Sequence, residues 1–249
     1  MTKNPAHCTF ESVLQEAKSR VDSFSEAKTK RLKEALEHGL GDLKSQEEMD
    51  MYLASYGEIH QAKLLMALTR LPRKILAEDK VSVIDYGCGQ GVASMVLCDV
   101  LHHNVGHPDM ISDFYTIEPS EECLKRAVNL IHAFCPNSHI TYFNNPCEDI
   151  WRMDIQPKSE VVIHLFSNII DMPDFPRDMV ADKINRMNDH NNIVVCVSPF
   201  YQENGRAKHM DEFGNRLHSF SCIHSFEKHT DEWDKPFSCQ IRLFCNSWY

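Results

Sequence analysis

The sequence predicts an α/β fold: a doubly wound, mostly parallel, seven-stranded sheet closed by a terminal antiparallel strand pair and preceded by an N-terminal helical extension. Three features carry that reading. From residue 81 short apolar runs rich in β-branched residues alternate with helical stretches, two further strand-like runs close the chain, and residues 5–80 have helical periodicity throughout. At 249 residues the chain can bury a full core in one domain. Residues 1–75 read as the helical extension and 76–249 as the α/β domain.

In the extension Phe10, Val13, Leu14, Ala17, Val21 and Phe24 recur at spacings of three and four, and Leu32, Leu36, Leu40 and Leu43 continue the pattern up to the break at Gly39 and Gly41. "SQEE", Ser45 to Glu48, has the form of a capping box. The helix it opens carries Tyr52, Tyr56, Ile59 or His60, Lys63 or Leu64, Ala67 and Leu71 along one face, and Pro72 closes it.

The five strands expected next are "VSVID" (81–85), "FYTIE" (114–118), "ITYF" (140–143), "VVIHLF" (161–166) and "IVVCVS" (193–198). Their continuous apolar character is that of strands covered by helices on both faces. Helices are expected at 92–101, 120–134, about 147–153, 176–188 and 206–217. "LHSFSCIHSFEKH" and "PFSCQIRLFCNSWY", separated by "TDEWDKP", suit an antiparallel pair at the sheet edge.

Composition excludes several classes. No apolar run approaches the roughly 20 residues of a membrane span, and "MTKNPAH" lacks a signal-peptide core, so a cytoplasmic protein is expected. The ten cysteines are scattered without a C-x-x-C, as free thiols in a reducing compartment are, and the fourteen histidines show no metal-ligand spacing, so no metal is expected. Residues 1–80 hold 13 basic and 13 acidic residues, and the remainder 13 against 23, which places the whole net charge of −10 in the α/β domain. That domain has little means of holding a polyanion. If structured RNA binds, Lys28, Lys30, Arg31 and Lys33 of the extension are the candidates, although such a run is commonly a solvated face.

Function is concentrated in "VIDYGCGQG". Ligands settle at the carboxyl end of the first strand of such a sheet, against the next helix's positive N-terminus, and glycines at 87, 89 and 91 permit tight turns and close backbone approach. Glu118 ends the second strand, where a carboxylate accepts hydrogen bonds from two ribose hydroxyls. Glu148 and Asp149 open the short helix after the third strand, and "HLFSNIID" brings the fourth to the same crevice.

In that order and on those elements, "VIDYGCGQG", "IEPS", "CEDI" and "HLFSNIID" resemble the successive motifs of class I S-adenosylmethionine-dependent methyltransferases, over about residues 50–249. The resemblance implies S-adenosyl-L-methionine as cofactor. It implies that Asp85 with Gly87, Cys88, Gly89 and Gly91 holds the methionine portion, Glu118 the ribose and Asp149, beside Glu148, the adenine amino group, with Phe166 next to adenine or the sulfonium. "HHNVGHPDMISD" departs from the family pattern as an insertion before the second strand.

A nicotinamide dehydrogenase would require glycine where Val92 stands, and a P-loop NTPase would require Gly-Lys-Ser/Thr after the glycines. Cys147 follows the third strand, where an adenine contact rather than a thiolate nucleophile is expected. Transfer to oxygen or nitrogen depends mainly on positioning, with a base only where the acceptor carries a proton of high pKa. Candidates are His164, Asp171 and Tyr201 as base and Asn168 as an orienting amide. For His164 the competing role is a satisfied core histidine, for Asp171 a helix cap. Tyr56 and His60 are expected to pack, or to lid the cofactor. Phe200, Tyr201 and Arg206 stand where an acceptor pocket is expected. The acceptor is expected to be a small molecule or protein, with RNA open. The alternative to an enzyme is a cofactor-binding, inactive scaffold of the same fold.

Overall fold

The computed structural model describes residues 8–37, 41–72, 80–105, 110–200, 207–228 and 238–247. Three helices, α1 (Phe10–Asp22), α2 (Glu26–Ala35) and α3 (Gln46–Leu68), precede the sheet. The strands are β1 (Val81–Tyr86), β2 (Ile111–Ile117), β3 (His139–Phe143), β4 (Val161–Ser167), β5 (Asn191–Ser198), β6 (Ser221–Lys228) and β7 (Cys239–Cys245). Among them lie α4 (Val92–Val105), α5 (Glu121–Phe134), a 3-10 helix (Cys147–Arg152), α6 (Arg177–Asn185) and α7 (Ala207–Gly214).

The sheet order is β3-β2-β1-β4-β5-β7-β6. Strands β1 to β5 are parallel and β7 runs antiparallel to both β5 and β6, giving the seven strands and the terminal pair the sequence predicts. Chain order reverses between β1 and β4, which opens a crevice at their carboxyl ends. Both faces are covered. Val81, Val83, Ile163 and Leu165 pack under α1, α3, α4 and α5, whereas Ile84, Tyr86, Val162 and Phe166 pack under the 3-10 helix, α6 and α7.

Strand β2 starts three residues before the expected run, inside the stretch read as an insertion. Polar Ser112 and Asp113 conceal this start in the sequence. In the sheet Asp113 faces Ser82 across the ladder and accepts its hydroxyl at 3.0 Å, so a buried polar pair replaces the apolar alternation. At the start of α3, Ser45 Oγ accepts from Glu48 N at 3.2 Å, but the Glu48 carboxylate takes the N–H of Lys44, one residue before the cap. The helix ends at Leu68, and a turn separates it from Pro72.

The N-terminal helices share the core of the sheet. Phe10, Val13, Leu14 and Ala17 of α1 and Leu53, Leu64, Ala67 and Leu68 of α3 belong to the same apolar cluster as β1 and β4. Close approach of α1 needs Gly57, where a Cβ would lie 2.8 Å from Leu14 Cδ1. Phe10 N donates to Asp99 Oδ2 of α4 at 2.8 Å. Among the described residues no helix is long and apolar enough to cross a membrane, and no group of three His, Cys, Asp or Glu is placed to hold a metal.

Asp50 joins three helices. Its carboxylate on α3 accepts from Arg20 of α1 at 2.6 and 2.9 Å and from Arg126 of α5 at 2.7 Å, with Asp50 and Arg126 both buried. Burial disfavours the charge, yet the two guanidinium groups hold the carboxyl below its ordinary 3.8. Asp50→Ala leaves Arg126 buried without a counter-charge and is expected to cost about 3 kcal/mol in urea unfolding at neutral pH. A group with a lowered folded pKa stabilises above its unfolded value and stops doing so as pH falls through the folded one. The gap between wild type and variant should therefore close below pH 3.8.

Candidate functional site

At the carboxyl ends of β1, β2 and β4 lies a cavity of about 210 Å³. Its floor is the turn from β1 into α4, where Gly87, Gly89 and Gly91 have φ of 59°, 53° and 83°, the left-handed region that side chains disfavour. The turn is tied down by Cys88 N to Ile117 O at 3.0 Å and Gly91 N to Cys88 O at 2.8 Å. The glycines differ in what surrounds them. A Cβ at Gly91 would lie 3.3 Å from Ala127 of α5, so that glycine permits helix packing, while a Cβ at Gly89 would meet nothing within 4 Å among the described residues. Gly89 presents open backbone to the cavity.

Two carboxylates frame the loop. Asp85 is 1 % exposed; its Oδ2 accepts from Ser94 Oγ at 2.7 Å and its Oδ1 has no hydrogen-bond partner among the described residues. Burial pushes its pKa up to about 7 against the Ser94 hydrogen bonds, with Glu118 adding to the rise. Glu118 reaches back from the end of β2, accepting the N–H of Gly89 at 2.8 Å and of Ser120 at 2.9 Å, and burial raises it too. Each carboxylate oxygen accepts more than one bond, so Glu118 keeps acceptor capacity toward the cavity.

The remaining walls come from the chain's N-terminal part and from β4. Gly41, Asp42 and Leu43, between α2 and α3, cover one side, and the Leu43 carbonyl accepts from Ser120 Oγ at 3.3 Å. Tyr52 and His60 of α3 and Ser167 and Asn168 after β4 form another. Asn168 has a φ of 60°, a conformation asparagine tolerates, and its amide bonds Lys63 and His60.

Asp85, Gly87, Cys88, Gly89, Glu118 and Asn168 thus line one cavity. Other candidates lie elsewhere. Phe166 is a core residue: it is 1 % exposed, stacks on Tyr86 at 4.4 Å and meets Phe175 and Phe213 edge-on, because its position in β4 faces α6 and α7. His164 is fully buried on that same face, with Nε2 donating to Asn192 Oδ1 at 2.9 Å and Nδ1 accepting from the Tyr86 hydroxyl at 3.1 Å. Burial pushes it down to about 4, so it is the satisfied core histidine and not a base at the cavity. Asp171 is buried outside the cavity lining, its carbonyl oxygen 3.0 Å from His209 Nδ1 of α7, and it does not cap α6, whose N-cap is Pro176.

Glu148 is exposed and Asp149 pairs with Arg152 at 3.0 Å; both stand on the 3-10 helix beyond the cavity wall. Cys147, beneath them, is buried, and burial pushes its thiol up to about 12, the opposite of a thiolate nucleophile. Tyr56 packs with Leu32, Leu36 and Met51, whereas His60 turns to the cavity. Lys28 pairs with Glu47 at 2.6 Å; Lys30, Arg31 and Lys33 are exposed on α2. Tyr201 and Arg206 lie outside the described residues. Asp42 and Ser94 carried no sequence signal. Tyr52 and Lys63 carried only the helical spacing they share with His60.

No protein-family model and no curated protein matches the sequence. Solved structures do match. One is from the complex between the Haloferax volcanii Trm112 methyltransferase activator and a protein described as a methyltransferase: 14% identity, 78% of this chain and 93% of that chain, TM-score 0.53. Another, from Listeria monocytogenes, is described as a class I S-adenosylmethionine-dependent methyltransferase: 12% identity, 92% of this chain and 70% of that chain, TM-score 0.50. The chain has the class I methyltransferase fold. Strand order and the position of β7 agree with that architecture, and the cavity occupies its crevice between β1 and β4.

The loop's glycines separate two jobs, one structural and one facing the cavity. Gly89→Ala is expected to cost only the left-handed backbone term of about 1–2 kcal/mol. Gly91→Ala should cost clearly more, because its φ of 83° and the Ala127 contact add to that term. Urea unfolding of the two variants checks the order.

Proposed function

We propose that the protein binds S-adenosyl-L-methionine and catalyses methyl transfer to an oxygen or nitrogen of an acceptor. The observation carrying this reading is the pairing, in one cavity, of a buried carboxylate having a partnerless oxygen, Asp85, with open backbone at Gly89 and the Glu118 carboxylate across from it. These groups fit an amino-acid nucleoside. Asp85 Oδ1 suits the ammonium, the bare backbone at Gly89 admits close approach, and the remaining lone pairs of Glu118 suit ribose hydroxyls. When bound, the cofactor supplies a methyl group activated as a sulfonium.

The protein's share of the chemistry is positioning and exclusion of water. Residues 41–43 and α3 cover the cavity, and Glu118 fixes the loop that forms its floor. His60 is pushed down to about 3 by burial and by Lys63, so it does not take up a proton near neutral pH. The work of the site is therefore holding two reactants in line. For Asp149 to reach an adenine, the bound molecule would extend past the described cavity along the 3-10 helix.

Calorimetric titration should show S-adenosylhomocysteine binding and no NAD binding; the reverse result removes the reading. The pH dependence has a definite sign. The free site holds a proton on Asp85 below about pH 7, and a ligand ammonium favours the carboxylate, so affinity should rise with pH up to about 7 and then level off. In Asp85→Asn the affinity should be weaker and that rise absent.

A further inference from the structure

One side of the cavity holds a run of hydrogen bonds whose direction is fixed from end to end. Lys63, buried in α3, has only donors, and its Nζ lies 2.6 Å from Asn168 Oδ1. That contact sets the amide, so the Asn168 nitrogen faces His60 Nδ1 at 2.9 Å and Ser167 Oγ at 3.1 Å. An amide nitrogen only donates; His60 Nδ1 therefore accepts, and the neutral ring carries its proton on Nε2. Nε2 is 3.0 Å from the Tyr52 oxygen, so the ring donates and the phenol accepts.

Tyr52 is left with its own proton to give. No further hydrogen bond to its hydroxyl forms among the described residues, and Tyr52 lines the cavity. Burial pushes the phenol up to about 12, which keeps that proton in place. Asn168, whose amide would otherwise serve as a direct substrate contact, has its oxygen occupied by Lys63 and its nitrogen by His60.

We propose that the Tyr52 hydroxyl, directed by Lys63, Asn168 and His60, donates a hydrogen bond to a carboxylate oxygen of the molecule in the cavity, and that this carboxylate belongs to the amino-acid portion of the cofactor. The choice of an amino-acid group follows from the walls. Asp85 Oδ1 is an unused acceptor for an ammonium, Tyr52 is an unused donor for a carboxylate, and an α-amino acid carries both. Lys63, Asn168 and His60 are positioning residues in this scheme. It rests on the cofactor reading above.

The test uses two ligands and three variants. S-adenosylhomocysteine has the amino-acid group, and 5′-methylthioadenosine has the nucleoside and sulfur without it. Tyr52→Phe is expected to weaken S-adenosylhomocysteine binding about 10- to 100-fold, the range for a lost hydrogen bond to a charged group, and to leave methylthioadenosine binding unchanged. Asn168→Asp tests the relay. Aspartate keeps Lys63's acceptor and tolerates the left-handed backbone but only accepts when ionised, so His60 must present a proton on Nδ1, its Nε2 accepts from Tyr52, and the phenol proton leaves the cavity. That variant should show the same selective loss, and Tyr52→Phe/Asn168→Asp no further loss.

Unchanged S-adenosylhomocysteine affinity in Tyr52→Phe, or equal losses for both ligands, overturns the proposal while the cofactor reading stands. A selective loss in Tyr52→Phe with none in Asn168→Asp overturns the directing role of the relay. If the wild type binds neither ligand, both readings fall.

Discussion

The site depends on one carboxylate. Glu118, at the end of β2, accepts the N–H of Gly89 and of Ser120, and so ties the turn after β1 to the turn after β2. A loop with three residues at positive φ has little reason of its own to hold one shape, because glycine loses more conformational freedom on ordering than any other residue. The Glu118 contacts and the packing of Gly91 on Ala127 supply that order from outside the loop. With the loop fixed, Gly89 faces open space and Asp85 is held beneath it.

That arrangement follows from how a parallel sheet is covered. All six residues of β1 are buried, so a carboxyl on the strand needs hydrogen bonds, as Ser94 gives Asp85, and even so burial disfavours its charge. Polar function emerges at the strand ends. Helix α3 adds to the enclosure, and because it is packed with α1 into the core under β1 and β4, the wall it gives the cavity through Tyr52 and His60 is anchored to the sheet. The Asp50 cluster adds a polar clamp where α1, α3 and α5 meet.

Much of this was legible in the sequence. The strands read as apolar runs because both faces of the sheet are buried, and the glycine loop, Asp85 and Glu118 read as a site because their chemistry is local to a strand end. The same evenness of burial misled at β4. In "VVIHLF" nothing marks which residues face α3 and α4 and which face α6 and α7, and Phe166 and His164 lie on the latter side, away from the cavity. Ser112 and Asp113 hid the start of β2, since their buried partners, Ser82 and Ser159, are distant in sequence.

By itself the sequence determined the order of strands and helices, the doubly wound class, and the carboxylates and glycines at the ends of β1 and β2, because hydrophobic periodicity and backbone freedom are properties of neighbouring residues. Only the tertiary structure decided which face each β4 side chain occupies, that residues 41–43 close the cavity, and that Lys63, Asn168, His60 and Tyr52 form one directed chain. Lys63 and Asn168 are 105 residues apart. The direction of their hydrogen bonds is set by which atoms can donate once packing has brought them together, and no local pattern encodes that meeting.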